Sequence, residues 1–277
     1  MVTLPGSRVS LWVPTRAQRV GRGFQLRFDR AGAVEVRVAE SSIGPRGIPD
    51  LEAGLAGQAG IAPGTELVED PPGSGHWHTP LEQPRQAWVW QLRSGTAAAA
   101  VMVGIESRAD LDVAERILAS ATLDPTLDYD AARLMGIEVG VPVGTQRVPM
   151  VGPALVAEST DPALFGGMTV AWIPAGVEVS DAFLEESLRD LLSETQVTDA
   201  ELERAERGGL RGHQGRGTAP DGMEHLFATM AVPGETDGLF MVHASARGEG
   251  AEALMRVMVA TAKDLRIVDR AELVAVP

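Results

Sequence analysis

The feature that most constrains this chain is an internal repeat. Val13-Pro14-Thr15-Arg16-Ala17-Gln18-Arg19-Val20 is matched by Val141-Pro142-Val143-Gly144-Thr145-Gln146-Arg147-Val148, identical at five of eight positions at an offset of 128. Just before these segments, Val9 and Leu11 align with Ile137 and Val139. Three more matches follow in the same order: Val34 to Val38 with Met168 to Trp172, Val101-Met102-Val103 with Phe240-Met241-Val242, and Glu115 to Ser120 with Met255 to Ala260. The offset grows to about 140, as loop insertions in a second copy would make it. Two copies are too few for a solenoid, so each has to fold as its own unit or as half of a pseudo-dimer.

A chain of 277 residues suits two domains of ordinary size. The repeat divides it into 1–124, a short Pro/Asp-rich linker at 125–130, and 131–277. In each copy short strands lead to the Val-Pro segment, another strand, a helix, an antiparallel hairpin and a closing helix. That order predicts an α+β fold, two tandem antiparallel sheets packed with helices and related by an internal pseudo-two-fold. The first helix is expected near Pro49-Asp50, with Leu51 and Leu55 on one face. Its counterpart is capped by Ser180 or Asp181 and carries the stripe Leu184, Leu188, Leu191, Leu192. Trp88 to Leu92 and Ala97 to Ile105 read as a hairpin, with Leu226 to Met230 and Leu239 to Ala244 as its equivalent. On that alignment Leu226 and Ala228 replace Trp88 and Trp90. Val113, Ile117 and Ala121 form the buried face of the first closing helix; Leu254, Val257, Met258, Thr261 and Leu265 form that of the second.

Most enzyme chemistries lack their parts here. With no cysteine there is neither disulfide nor thiolate site, and the only lysine, Lys263, lies outside any phosphate-binding loop. No Gly-x-Ser-x-Gly elbow is present, and Gly73-Ser74-Gly75 is too short to make one. The paired acids Glu185-Glu186 and Glu201 with Glu203 read as solvated helix faces. No catalytic residue and no cofactor is assigned, and the chain is expected not to be an enzyme.

Charge narrows the partners. The net charge of −14 divides into −2 on residues 1–124 and −12 on 125–277. Such a field repels phosphate backbones, so nucleic acid is not expected as a partner. The Arg/Gly-rich run Arg207 to Gly217 reads instead as strand and bend requiring close backbone approach. The chain start lacks the basic and apolar segments of a signal peptide, and the longest apolar run, Ala97 to Val103, is only strand-sized. A cytoplasmic protein without membrane insertion is expected.

Two side-chain groups offer chemistry. His76 and His78 share one strand face, as metal ligands can, but no acid–His cluster completes a set, so no metal site is assigned. His213 falls at the equivalent place in copy two, and His225 and His243 sit at strand positions as structural histidines. Tryptophan is unevenly placed: Trp12, Trp77, Trp88 and Trp90 are all in the first copy. Tryptophan is enriched at binding hot spots, which makes Trp77, Trp88 and Trp90 candidates for contact with a protein partner. The competing reading buries the face of Trp88 and Trp90 under helices.

The order of elements resembles the DcrB-like families of the PsbP-like α+β fold, among them the Eag chaperones that accompany effectors of bacterial type VI secretion. The matching residues are Val13-Pro14 and Val141-Pro142, the helix Phe183 to Leu192, the Gly-rich strand Gly208-Gly209-Leu210-Arg211-Gly212, and the closers Ile117 to Leu123 and Val257 to Leu265. Exported members of those families carry signal peptides or lipobox cysteines, which this chain lacks. The resemblance implies a non-enzymatic binder, a chaperone-like escort for a secreted effector, with the fused pair as a covalent version of a dimer. Two alternatives stay open: an immunity or scaffold protein binding a toxin or machine component through the acidic second half, and a small-ligand module or hydrolase using His76 and His78.

Overall fold

The computed structural model describes residues 1–41, 68–69, 76–80, 86–95, 97–148, 152–175, 177–197, 199–268 and 274–275. The chain is mixed α and β, mostly antiparallel sheet with few helices, and divides into two compact units. The helix expected near Pro49-Asp50 lies outside the described residues. No described helix is long and apolar enough to cross a membrane.

The first unit is built on Met1–Leu134. Its strands include β1 (Val2–Thr3), β2 (Val9–Leu11), β3 (Gln18–Arg19), β4 (Phe24–Asp29), β5 (Ala33–Ser41), β6 (Val68–Glu69), β7 (His76–Pro80), β8 (Gln86–Ser94), β9 (Ala97–Ile105) and β10 (Thr122–Leu123). Seven of them form one antiparallel sheet in the order β3-β4-β5-β9-β8-β7-β6. Strand β9 is the apolar run Ala97 to Val103, buried on both faces, as a central strand should be. Helix α1 (Leu111–Ser120) turns Val113, Ala114, Ile117 and Leu118 inward, and these pack with Leu26, Val36, Val101 and Val103.

The second unit is built on Met135–Val148 with Ala154–Arg270. It contains β11 (Ile137–Glu138), β12 (Thr145–Val148), β13 (Ala154–Ser159), β14 (Phe165–Pro174), α2 (Asp181–Glu194), β15 (Glu201–Arg207), β16 (Leu210–Thr218), β17 (Glu224–Ala231), β18 (Gly238–Arg247), α3 (Ala251–Lys263) and β19 (Arg266–Ile267). Its sheet runs β12-β13-β14-β18-β17-β16-β15. Numbered from its own first strand, that is the strand order of the first sheet.

The register of the central strands agrees as well. Val36 lies opposite Val103 as Val170 lies opposite Val242, and Val38 opposite Val101 as Trp172 opposite Phe240. The proline segments form like turns, Ala17 N–H donating to the Pro14 carbonyl at 2.9 Å and Thr145 N–H to that of Pro142 at 3.1 Å. Sheet pairing also shifts two alignments: Gln18 lies opposite Arg27 but Gln146 opposite Glu158, two places beyond the counterpart of Arg27, and the tryptophans move as well. Trp88 lies opposite Val103 and Trp90 opposite Val101, so their counterparts are Ala228 and Met230, not Leu226 and Ala228. The reason is that the chain between paired positions is one residue shorter in the second unit, Ala228 to Val242 against Trp88 to Val103, where the alignment by sequence assumes a longer one. By the same pairing His76 and His78 correspond to Gly212 and Gln214, and Trp77 to His213.

Residues 125–130, expected as a linker, are hydrogen-bonded to the first unit. Asp124 N–H donates to the Arg8 carbonyl and Asp130 N–H to that of Gly6, while the Tyr129 hydroxyl donates to the Gly152 carbonyl at 2.7 Å. Nearby, Glu40 is 2% exposed and accepts from the Ser7 hydroxyl and from Arg8 Nε at 3.0 Å. Burial pushes its carboxyl above the usual range, and these bonds offset part of that push.

Candidate binding groove

The site begins with helix α2. Ser180 is its N-cap, the hydroxyl accepting from Phe183 N–H at 3.1 Å, and Leu184, Leu188 and Leu192 are its buried stripe. Leu188 and Leu192 pack on Phe227 of β17, and the Thr229 hydroxyl donates to the Leu184 carbonyl at 2.6 Å. Side chains alternate along a strand, so Phe227, Thr229, Met241, His243 and Ser245 share this face, while Phe240, Val242 and Ala244 point to the face covered by α3. Helix α2 covers β16 and β17, and the same face of β13, β14 and β18 stays open.

On that open part lies a groove of about 410 Å³. Val156 and Glu158 of β13, Gly167 and Thr169 of β14, and His243 and Ser245 of β18 form its floor. The β13–β14 connection makes the wall, held by Ala163 N–H donating to the Asp161 carboxylate at 2.9 Å and Leu164 N–H to the Asp161 carbonyl at 3.1 Å. Gly166 and Gly167 keep the strand close to its neighbours: a Cβ on either would lie 2.6 Å from a carbonyl oxygen, of Ser245 or of Ala157. At the rim Phe165 is 66% exposed, and the Arg247 guanidinium lies 6.0 Å from its ring centroid.

His243 belongs to a stack. Phe227 and His243 are 4.2 Å apart between ring centroids and nearly parallel, and His225 Nδ1 lies 3.0 Å from His243 Nε2. Burial, together with the neighbouring His225, pushes the His243 pKa down to about 4, and burial lowers that of His225 as well. Both rings are therefore neutral near pH 7. Ser245 forms no hydrogen bond with either imidazole among the described contacts, so the pair shapes the floor and presents no activated serine.

A second cleft of about 230 Å³ opens on the same face beside α2, lined by Ile173, Phe183, Leu191, Leu239, Asp190 and Glu194 among others. The charged side chains lining the two openings are all carboxylates: Glu158, Asp161, Asp190 and Glu194.

No protein-family model, curated protein or solved structure matches this chain.

The residues singled out in the sequence fall elsewhere. Trp88 and Trp90 are half-buried and pack against the core of the first unit, on the face that holds Val101 and Val103. Trp77 lies between His76 and His78 on β7, paired with Val89. Trp12 receives the Arg116 guanidinium 3.7 Å from its ring centroid. Among the described residues no cluster of three or more His, Asp or Glu could hold a metal. The Arg/Gly run is the β15–β16 hairpin: Gly208 and Gly209 take positive φ at its turn, and buried Arg207 donates to the Ala262 carbonyl at 3.2 Å. His213 Nε2 bonds to Asp181 at 2.9 Å at the start of α2. The groove residues Glu158, Phe165 and Thr169 escape sequence reasoning because each sits in an ordinary strand pattern, and only the extent of α2 leaves them uncovered.

Proposed function

We propose that this chain is a non-enzymatic protein-binding adaptor made of two copies of one PsbP-like module, an escort of the kind its sequence resembles, with the second copy as the receiving half. Matching strand order and register support the duplication. The observation that carries the binding role is the half-open sheet face of the second unit, where α2 covers β16 and β17 and leaves a groove over β13, β14 and β18. Sheets bury a face against another layer, and an uncovered strip with side walls is the usual form of a site for a partner segment.

The first unit is the contrast. Its equivalent positions carry the ion-paired Arg27, Glu35 and Arg37. Trp88 and Trp90 flank the core of that unit.

Photo-crosslinking tests this. With p-benzoylphenylalanine placed at Ser245, the full chain in its native cells should give a discrete protein adduct. The same group at exposed Glu206 on the sheet edge should not. Identical adduct patterns at the two positions would remove the groove from the binding role.

A further inference from the structure

We propose that the groove takes an arginine side chain carried on a peptide segment, so that the adaptor's partner is a basic peptide. This rests on the binding role above and adds the chemistry of the ligand.

One row of side chains differs between the two sheets. In the first unit Arg27 lies opposite Glu35, which lies opposite Gly104. In the second the same row is Val156, Thr169 and His243. The first unit thus places its own guanidinium on this spot, with Arg27 3.9 Å and Arg37 3.1 Å from the Glu35 carboxylate. In the second unit the guanidinium is replaced by valine, and the groove opens there. A carboxylate is nevertheless kept: Asp29, two residues beyond Arg27, corresponds to Glu158, two beyond Val156, on the groove floor.

Three further observations suit a guanidinium. Asp161 adds a second carboxylate to the lining, which holds no arginine or lysine. His243 does not oppose a cation, because burial, with His225 beside it, keeps the ring neutral. Phe165 offers an exposed ring, and the Arg247 guanidinium already lies over it, tied on its far side to Asp221 at 2.9 Å. Planar guanidinium groups combine aromatic stacking with forked bonds to carboxylates, which a compact ammonium does less well.

A peptide, not a lone cation, is indicated by the shape of the face. Phe165, Gly167, Thr169, Ala171 and Ile173 alternate along β14 from the first opening to the second, roughly 26 Å at the rise of a strand. The far opening again pairs apolar lining with carboxylates, Asp190 and Glu194.

The test uses the full chain on an array of twelve-residue peptides in matched pairs, with arginine or the uncharged isostere citrulline at the centre. The expected result is at least tenfold stronger retention on the arginine members. Val156→Arg, which restores the first unit's guanidinium, should abolish that preference, and Glu158→Gln should weaken it several-fold. Circular dichroism and melting curves establish that each variant is folded, and Glu158→Gln, at an exposed position, serves if Val156→Arg does not fold. Equal retention of arginine and citrulline peptides, lowered alike by Val156→Arg, would overturn the guanidinium assignment and leave the binding role standing. No retention of any peptide would overturn both. Displacement by arginine amide at the concentration of the peptide itself would overturn the peptide assignment in favour of a small cation.

Discussion

His225 and His243 share one hydrogen bond, Nδ1 to Nε2 at 3.0 Å, between rings only 11° from parallel. One ring donates and the other accepts, so the bond is lost when both are charged. The stack also joins the groove floor to Phe227 beneath α2, which links the site to the packing of the unit.

The pH dependence of stability follows from this pair. His243 titrates near 4 in the folded protein against an ordinary value of 6.5, so between these values the unfolded chain binds more protons. The stabilising contribution is complete above pH 6.5 and declines as pH falls towards 4. Urea unfolding at a series of pH values should show this slope, and His243→Gln should flatten it. An unchanged slope in the variant would place the titration elsewhere.

Arg8 and Glu40 form a buried ion pair, with side chains 10% and 2% exposed. Removing one partner of such a pair costs roughly 3–5 kcal/mol, because the other charge stays buried without compensation. Arg8→Met should lower stability by that order. The loss should grow as pH rises, since burial already holds the Glu40 carboxyl above its ordinary range and deprotonation then leaves a lone anion. Denaturant curves of Arg8→Met and of the double change with Glu40→Leu check this, and the double variant should recover much of the loss.

Trp88 flanks the core of the first unit, and its counterpart in the second, Ala228, is fully buried. Trp88→Ala should cost roughly 2–4 kcal/mol, below the full core value because the ring is half-buried. The reciprocal Ala228→Trp should also destabilise, by roughly 1–3 kcal/mol or more, through overpacking. Thermal unfolding decides: a Trp88→Ala protein that melts like the parent would show that the ring is not part of the core.

Gly208 sits at φ +53° at the β15–β16 turn, where a Cβ would lie 2.1 Å from the Leu265 carbonyl oxygen. Gly208→Ala should cost more than about 1 kcal/mol, since both the backbone conformation and the space are unsuited to a side chain. Gly144, also at positive φ but with nothing within 4 Å of a Cβ, separates the two causes. Gly144→Ala should be the milder change in a melting experiment.

Much of the architecture was legible in the amino-acid order. The repeated Val-Pro-x-x-x-Gln-Arg-Val segments, the leucine stripe of α2, its cap at Ser180 and the hairpin nature of Arg207 to Gly217 are local. They depend on side-chain periodicity, on one hydroxyl near a helix start and on glycines where φ is positive. The matches of Val34 to Val38 with Met168 to Trp172, and of Val101 to Val103 with Phe240 to Val242, are long enough to keep their register in the sheets.

Only the tertiary structure decided three other matters. The partners of Trp88 and Trp90 are set by strand pairing across a connection of variable length, and counting along the chain placed their counterparts two residues away. The buried pair of Arg8 with Glu40 joins residues far apart in sequence, and neither charge announces its burial. The groove exists because α2 reaches over β16 and β17 but not over β14, so the exposure of Glu158, Phe165 and Thr169 is set by what fails to pack on them. Periodicity and turn chemistry are encoded residue by residue, whereas an uncovered surface is a property of every element around it.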